Sequence, residues 1–97
     1  MSICFEWDAV KASANLRKHG VSFELALHVF TDPLAFSQQD RIEGGEQRWQ
    51  TLGMVDGVLL LLVAHTVEDQ ADGEVIRIIS ARRATRNERY GYEQANS

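Results

Sequence analysis

The sequence predicts an α+β fold: an antiparallel β-sheet meander packed by two N-terminal helices and one C-terminal helix, in the order β-α-α-β-β-β-β-α. Three observations predict it. Apolar residues recur at helical spacing between Ala9 and His19 and between Phe23 and Phe30. From Leu34 to Arg82 the period becomes that of strands, broken at Gly44-Gly45, at Asp56-Gly57 and in the acidic stretch Glu68 to Gly73. After that, Thr85-Arg-Asn-Glu88 has the spacing of a capping box and opens a last helix. The 97 residues suit one domain over 1–97, large enough for a single core, with 93–97 expected to fray.

Ile3, Phe5 and Trp7 alternate with Cys4 and Glu6, the period of a half-buried strand on which Cys4 reads as a small core residue. Asp8 offers an N-cap to the first helix, whose stripe is Ala9, Ala12, Leu16 and His19. Gly20 suits a left-handed C′ position, and Lys18 and His19 favour the negative end of the helix dipole. Ser22 caps the second helix, with Phe23, Ala26, Leu27 and Phe30 as its apolar stripe. Asp32-Pro33 ends it, because proline disfavours helical backbone in the residue before it. Leu34–Gln38 reads as a short strand, 40–45 as a polar loop, and 46–52 as an alternating strand. Asp56-Gly57 marks a hairpin into VLLLLVAH, whose unbroken apolarity fits a central strand covered on both faces. Glu74–Arg82 is the last strand, and Gly91 costs the helix after it about 1 kcal/mol relative to alanine.

Charge narrows the function classes. The formal net charge is −4 and the pI about 5.2, which argues against nonspecific nucleic-acid binding by the whole surface. Yet half the basic residues, Arg77, Arg82, Arg83, Arg86 and Arg89, fall in RIISARRATRNER, where Glu88 is the only acid. Arginine placed this way fits an anion, since its fork of donors matches phosphate or carboxylate. One cysteine excludes an internal disulfide and a cysteine-based metal site, and His19, His28 and His65 lack metal-ligand spacing. No cofactor or metal is expected. The N-terminus lacks the order of a signal peptide, and the longest apolar run, Val58 to Ala64, is far below the roughly 20 residues needed to span a bilayer. A cytoplasmic protein with no membrane partner is expected.

Alternation on the last strand separates Ile76, Ile78 and Ser80 from Val75, Arg77, Ile79 and Ala81. The isoleucines suit the face that packs the helices, which turns Arg77 to the other face. On the preceding meander, Glu46, Arg48 and Gln50 form the polar set. Both sets are expected on the less covered face, with Arg82 and Arg83 at the strand end. An ion-paired, solvated face is the alternative reading of the same pattern. His65 ends the central strand, and Tyr90 and Tyr92, near the arginines, could stack on bases.

Three segments then acquire a further meaning. FEWDAVKASANLRKHGVSFELALHVFTDPLA, GEQRWQTLG and IRIISARRATRNERYGYE resemble the BrnT family of type II toxins, in the right order over nearly the whole chain. The pairing of WD-x2-K-x3-N-x2-KHGVSF with ISARRAT-x2-ER-x2-YE carries the resemblance. It implies a RelE-like fold and an RNA-cleaving toxin that inhibits translation. It also implies a BrnA-like antitoxin that neutralises the toxin and carries the DNA-binding domain, so that operator DNA is met only through the antitoxin and a toxin dimer fits within the complex. The family pattern leaves Lys18 and His19, Glu46 and Arg48, and Arg82 as its functional remainder, once the caps and core residues are set aside. Asn87 and Gly91 depart from the more basic helix that the resemblance implies.

The expected catalytic set is Glu46, Arg48, His65, Arg77 and Arg82, and the expected RNA-binding set is Lys18, His19, Arg83, Arg86 and Tyr92. A metal-free ribonuclease must align the ribose 2′-OH with the adjacent phosphorus, take its proton and stabilise charge on the phosphate oxygens. Arg48, Arg77 and Arg82 suit the last task; Glu46 or His65 suits the base. The rival class is a non-catalytic protein-binding module, an inactive toxin acting as co-repressor with a DNA-binding antitoxin.

Overall fold

A computed structural model describes residues 2–97. Strand β1 (Ser2–Glu6) leads into helix α1 (Ala9–His19), helix α2 (Phe23–Ala26) and a 3₁₀ segment (Leu27–Thr31). Strands β2 (Phe36–Glu43), β3 (Glu46–Val55), β4 (Leu59–Gln70) and β5 (Gly73–Arg83) follow, then helix α3 (Arg86–Ala95). The sheet order is β1-β5-β4-β3-β2. The last four strands form the antiparallel meander expected from their turns. β1 joins it parallel to β5, over Ser2–Glu6 against 73–77.

Local chemistry explains the element ends. Asp8 accepts hydrogen bonds from the N–H groups of Val10 and Lys11, and Gly20 closes α1 at φ 70°. Ser22 accepts from Leu25 N–H to start α2. Thr85 and Glu88 complete the capping box of α3. Asp56 and Gly57 both take positive φ, as a two-residue hairpin turn of type I′ requires. Gly44 and Gly45 do the same between β2 and β3. The polar stretch from Asp40 is therefore strand as far as Glu43, and only the glycine pair is turn. α3 likewise runs past Glu93 to Ala95, with the Asn96 amide donating to the carbonyls of Leu34 and Tyr92.

α1, α2 and the 3₁₀ segment cover one face of the sheet, where Val21, Phe23, Ala26, Val29, Val55, Leu61, Val63, Ile78 and Ala81 form the main core. Gly53 is required there, because a Cβ would sit 2.8 Å from both the Cβ and the carbonyl oxygen of Val29. α3 covers only part of the other face, over Leu52, Leu60 and Leu62, with Tyr92 buried among them. Asp32 fixes that helix. Its Oδ2 accepts from Met54 N–H at 2.8 Å and from Tyr92 O–H at 2.7 Å, and its Oδ1 accepts from Leu34 N–H.

Two packing expectations are corrected. Leu16 is 51% exposed, and Asn15 is the buried residue of α1, so the inward line of the helix runs through Ala12, Asn15 and His19 and bypasses Leu16. Cys4 is exposed, because β1 is an edge strand.

Candidate functional site

The register of β4 against β5 carries one irregularity that decides which side chains share a face. Ala64 pairs with Ser80, but His65 pairs with Ile78, so Ile79 is an extra residue on β5. Under strict alternation Arg77 and Arg82, five positions apart, would point to opposite faces. The bulge inverts the phase between them. Arg77 and Thr66, Ser80 and Ala64, and Arg82 and Leu62 are cross-strand pairs on the face that α3 half covers. Gln38 pairs with Gln50, which pairs with Ala64. Arg48 precedes Gln50 by two residues on β3 and shares this face, roughly two strand spacings (about 10 Å) from Arg77 across β4. The uncovered part is thus floored by Gln50, Ala64, Thr66 and Ser80 and flanked by arginines.

Each arginine has an acidic neighbour, with unequal hold. Arg82 is committed: Nη1 and Nη2 donate to the two carboxylate oxygens of Glu88 at 2.8 and 2.9 Å. That fork holds the Glu88 carboxyl below its ordinary pKa and raises Arg82 above its own. Glu88 also accepts from Thr85 N–H, so Arg82 is bonded to the start of α3. Arg77 meets Glu6 at 3.4 Å with its side chain 56% exposed. Arg48 meets Glu43 at 3.5 Å, and its Nε is buried without a hydrogen bond. Both pairs are longer than the Arg82–Glu88 fork.

A trough follows the edge of β5 where β1 stops. One part, about 300 Å³, is lined by Glu6, Trp7, Asp8, Lys11, Arg77, Ile78 and Ile79. The next, about 220 Å³, is lined by Lys11, Asn15, Lys18, His19 and Ser80, among others. Lys11 and Ile79 border both. Arg77, Lys18 and His19 therefore belong to one surface, joined by Lys11.

Other expected residues lie elsewhere. His65 is on the helix-bearing face, 3% exposed, with Phe30 edge-on at 5.0 Å and its Nε2 bonded to Thr51 Oγ1 at 2.7 Å. Burial lowers its pKa, with the Thr66 backbone opposing, so it stays neutral inside the core and does not join the arginines. Tyr92 is buried, stacked on Phe36 with its hydroxyl given to Asp32, and its pKa is pushed up to about 12 by burial and that carboxylate. No face of it is open to a base; Tyr90, 63% exposed, is the free aromatic of α3. Arg83 pairs with Leu61 and so turns to the helix-bearing side at the strand end. Arg86 is exposed in the first turn of α3, and Glu46 is exposed at the start of β3. Lys11 and Glu6 were missed as site residues. The signal for Lys11 was present, two helical turns before Lys18 on α1. Glu6 needed the parallel pairing of β1, which no local pattern announces. Among the described residues no three His, Cys, Asp or Glu side chains gather as a metal site would need, and no helix is long and apolar enough to cross a membrane.

The comparisons agree with this architecture. No curated protein matches the chain. The crystal structure of the Brucella abortus ribonuclease toxin BrnT is similar at a TM-score of 0.62 and 22% identity, over 89% of this chain and 100% of that one; at that identity it shows the fold. The family model described as the ribonuclease toxin BrnT of type II toxin–antitoxin systems matches residues 7–88. That span contains α1, the whole meander and the Arg82–Glu88 pair, and the chain belongs to the BrnT family of ribonuclease toxins of type II toxin–antitoxin systems.

Proposed function

We propose that this toxin cleaves RNA without a metal ion, at the half-covered face of the sheet and along the trough beside β5. The observation that carries the reading is the bulge at Ile79, which puts Arg77 on the same face as Arg48, next to the trough that leads past Lys11 to Lys18 and His19. Arg48 and Arg77 stabilise the charge that builds on the phosphate oxygens as the 2′-oxygen attacks phosphorus and the 5′-oxygen departs. Lys11, Lys18 and His19 hold the neighbouring phosphates, and Arg86 extends that contact. Glu6, 3.4 Å from Arg77, takes the 2′-hydroxyl proton as general base, and Glu46 is the more distant candidate for the same role. Arg82 keeps Glu88 and frames the site. His65, Tyr92 and Arg83 are left out, for their placement in the core or on the opposite side.

The partner in this reading is a BrnA-like antitoxin that covers the arginines and brings operator DNA to the complex, the toxin's own −4 charge being unsuited to duplex DNA. A second reading, a binding module without activity, draws on the fact that Arg48, Arg77 and Arg82 each have a carboxylate in reach. The test is incubation of purified protein with single-stranded RNA in excess chelator. The proposal expects fragments ending in a 2′,3′-cyclic phosphate and starting with a 5′-hydroxyl. Intact RNA, with antitoxin binding retained, leaves the binding module.

A further inference from the structure

We propose that Asn15 is a positioning residue of the cleavage site: its carboxamide replaces the missing strand neighbour of β5 and fixes the phase in which Ser80 and Arg82 face outward. The inference rests on the ribonuclease reading of that face.

β1 pairs with β5 only as far as Glu6 opposite Arg77. Beyond it the edge of β5 has no strand partner, yet Ala81 is fully buried. Asn15 meets that need. Its Nδ2 donates to Ala81 O at 2.8 Å and to Val21 O at 2.9 Å, and its Oδ1 accepts from Ala81 N–H at 3.1 Å. Both amide hydrogens and the oxygen are used, in a residue 7% exposed. The pattern copies the two bonds that a neighbouring strand would give to one residue.

The grip falls two residues after the bulge. A strand that bulges at Ile79 can resume in either phase, and a slip of one residue sends every later side chain to the other face. Asn15 recognises the backbone of Ala81, not its side chain. Holding that N–H and C=O toward α1 sends the Ala81 methyl into the core, opposite Val63, and Ser80 and Arg82 to the outer face. A leucine at position 15 would fill space without fixing this phase. The same α1 turn presents Leu16 to solvent, so the helix gives up an apolar contact in favour of the amide. Asn15 also lines the trough with Lys11, Lys18, His19 and Ser80, so movement of β5 there is felt next to the substrate.

The experiment is a double-mutant cycle on the full chain. Single-turnover cleavage of an RNA oligonucleotide is measured for wild type, Asn15→Ala, Arg82→Ala and the double variant, per folded molecule by circular dichroism. Val29→Ala serves as a fully buried control away from the site. Asn15→Ala is expected to lower the rate constant roughly 10–100-fold, the scale of a misplacement of about 1 Å, with the RNA concentration for half-maximal rate changed under about threefold. In the Arg82→Ala background the same change is expected to add under about threefold. Losses that multiply in full, or an Asn15→Ala rate per folded molecule equal to that of Val29→Ala, overturn the proposal. Asn15→Asp, of the same shape, is read identically if the alanine variant does not fold. Nitrogen-edited NMR separates this inference from the activity. Hindered rotation of the Arg82 guanidinium in wild type that becomes free in the Asn15 variant supports the phase lock even if wild type cuts no RNA. Unchanged rotation overturns it.

Discussion

The two faces of the sheet are built from the same five strands and do opposite things with polar groups. On the helix-bearing face the buried polar side chains are bonded to one another, although His65 Nδ1 is left without a partner. His65 is bonded to Thr51, which is bonded to Ser37 at 2.6 Å, and Phe30 closes over the ring. On the other face α3 stops short, and Arg48 and Arg77 are left in loose pairs beside a trough of mixed charge that continues past Lys11 to Lys18 and His19. A histidine and an arginine that look equally functional in the sequence thus have different fates. The difference is set by which face a strand position serves, and a single bulge decides it.

The comparison breaks most visibly in the core. Leu61→Ala on the dry face removes a side chain with no exposure and is expected to cost about 2–5 kcal/mol, read as the shift of the urea midpoint. Arg77→Ala, on the open face, is expected to leave that midpoint nearly unchanged while lowering RNA cleavage roughly 10²–10³-fold. An Arg77→Ala variant that unfolds as readily as Leu61→Ala would show the arginine to be structural.

Arg82→Ala sharpens the comparison within the open face. It strands Glu88, so both α3 anchoring and activity are expected to fall, with destabilisation on the order of 1 kcal/mol for a partly exposed charged pair, seen as faster amide exchange in α3. Exchange in α3 as slow as in wild type would mean that Asp32 alone holds the helix.

pH gives smaller effects of separate origin. Burial alone would raise Asp32, but its bonds from Met54, Tyr92 and Leu34 outweigh this and hold it below the ordinary value of 3.8; the Arg82 fork holds Glu88 below 4.5. Stability from both is complete above those unfolded values and is lost as pH falls through the lower folded ones. His65 acts at higher pH. Its folded pKa lies below 6.5, so the unfolded chain takes up a proton first, and stability declines as pH falls below 6.5 toward the folded value. His65→Gln is expected to remove that shallower decline and leave the acid limb in place. A decline that persists unchanged in His65→Gln would contradict its assignment to His65.

The sequence made the caps legible, because Asp8, Ser22, Thr85 and Glu88 act on backbone groups within three residues of themselves. It made the meander legible through its turns. It did not reveal the parallel pairing of β1, a contact between residues some seventy positions apart. Nor did it mark the bulge: no glycine or proline stands at Ile79, and strict alternation put Ser80 with the isoleucines. Arg82 does share a face with Arg77, yet its commitment to Glu88 depends on how α3 leaves β5. His65 misled because a histidine ending an apolar strand looks exposed. The strand instead runs on to Gln70, so His65 lies inside it.

On the proposed reading, the chemistry belongs to the open face of the sheet and not to the dry one. The most direct measurement is chelator-resistant RNA cleavage by Arg77→Ala and His65→Gln, side by side and normalised to folded protein. A loss of roughly 10²–10³-fold is expected for Arg77→Ala, with a rate within about threefold of wild type for His65→Gln, a residue outside the site. Full activity without Arg77, or its collapse without His65, would contradict that reading.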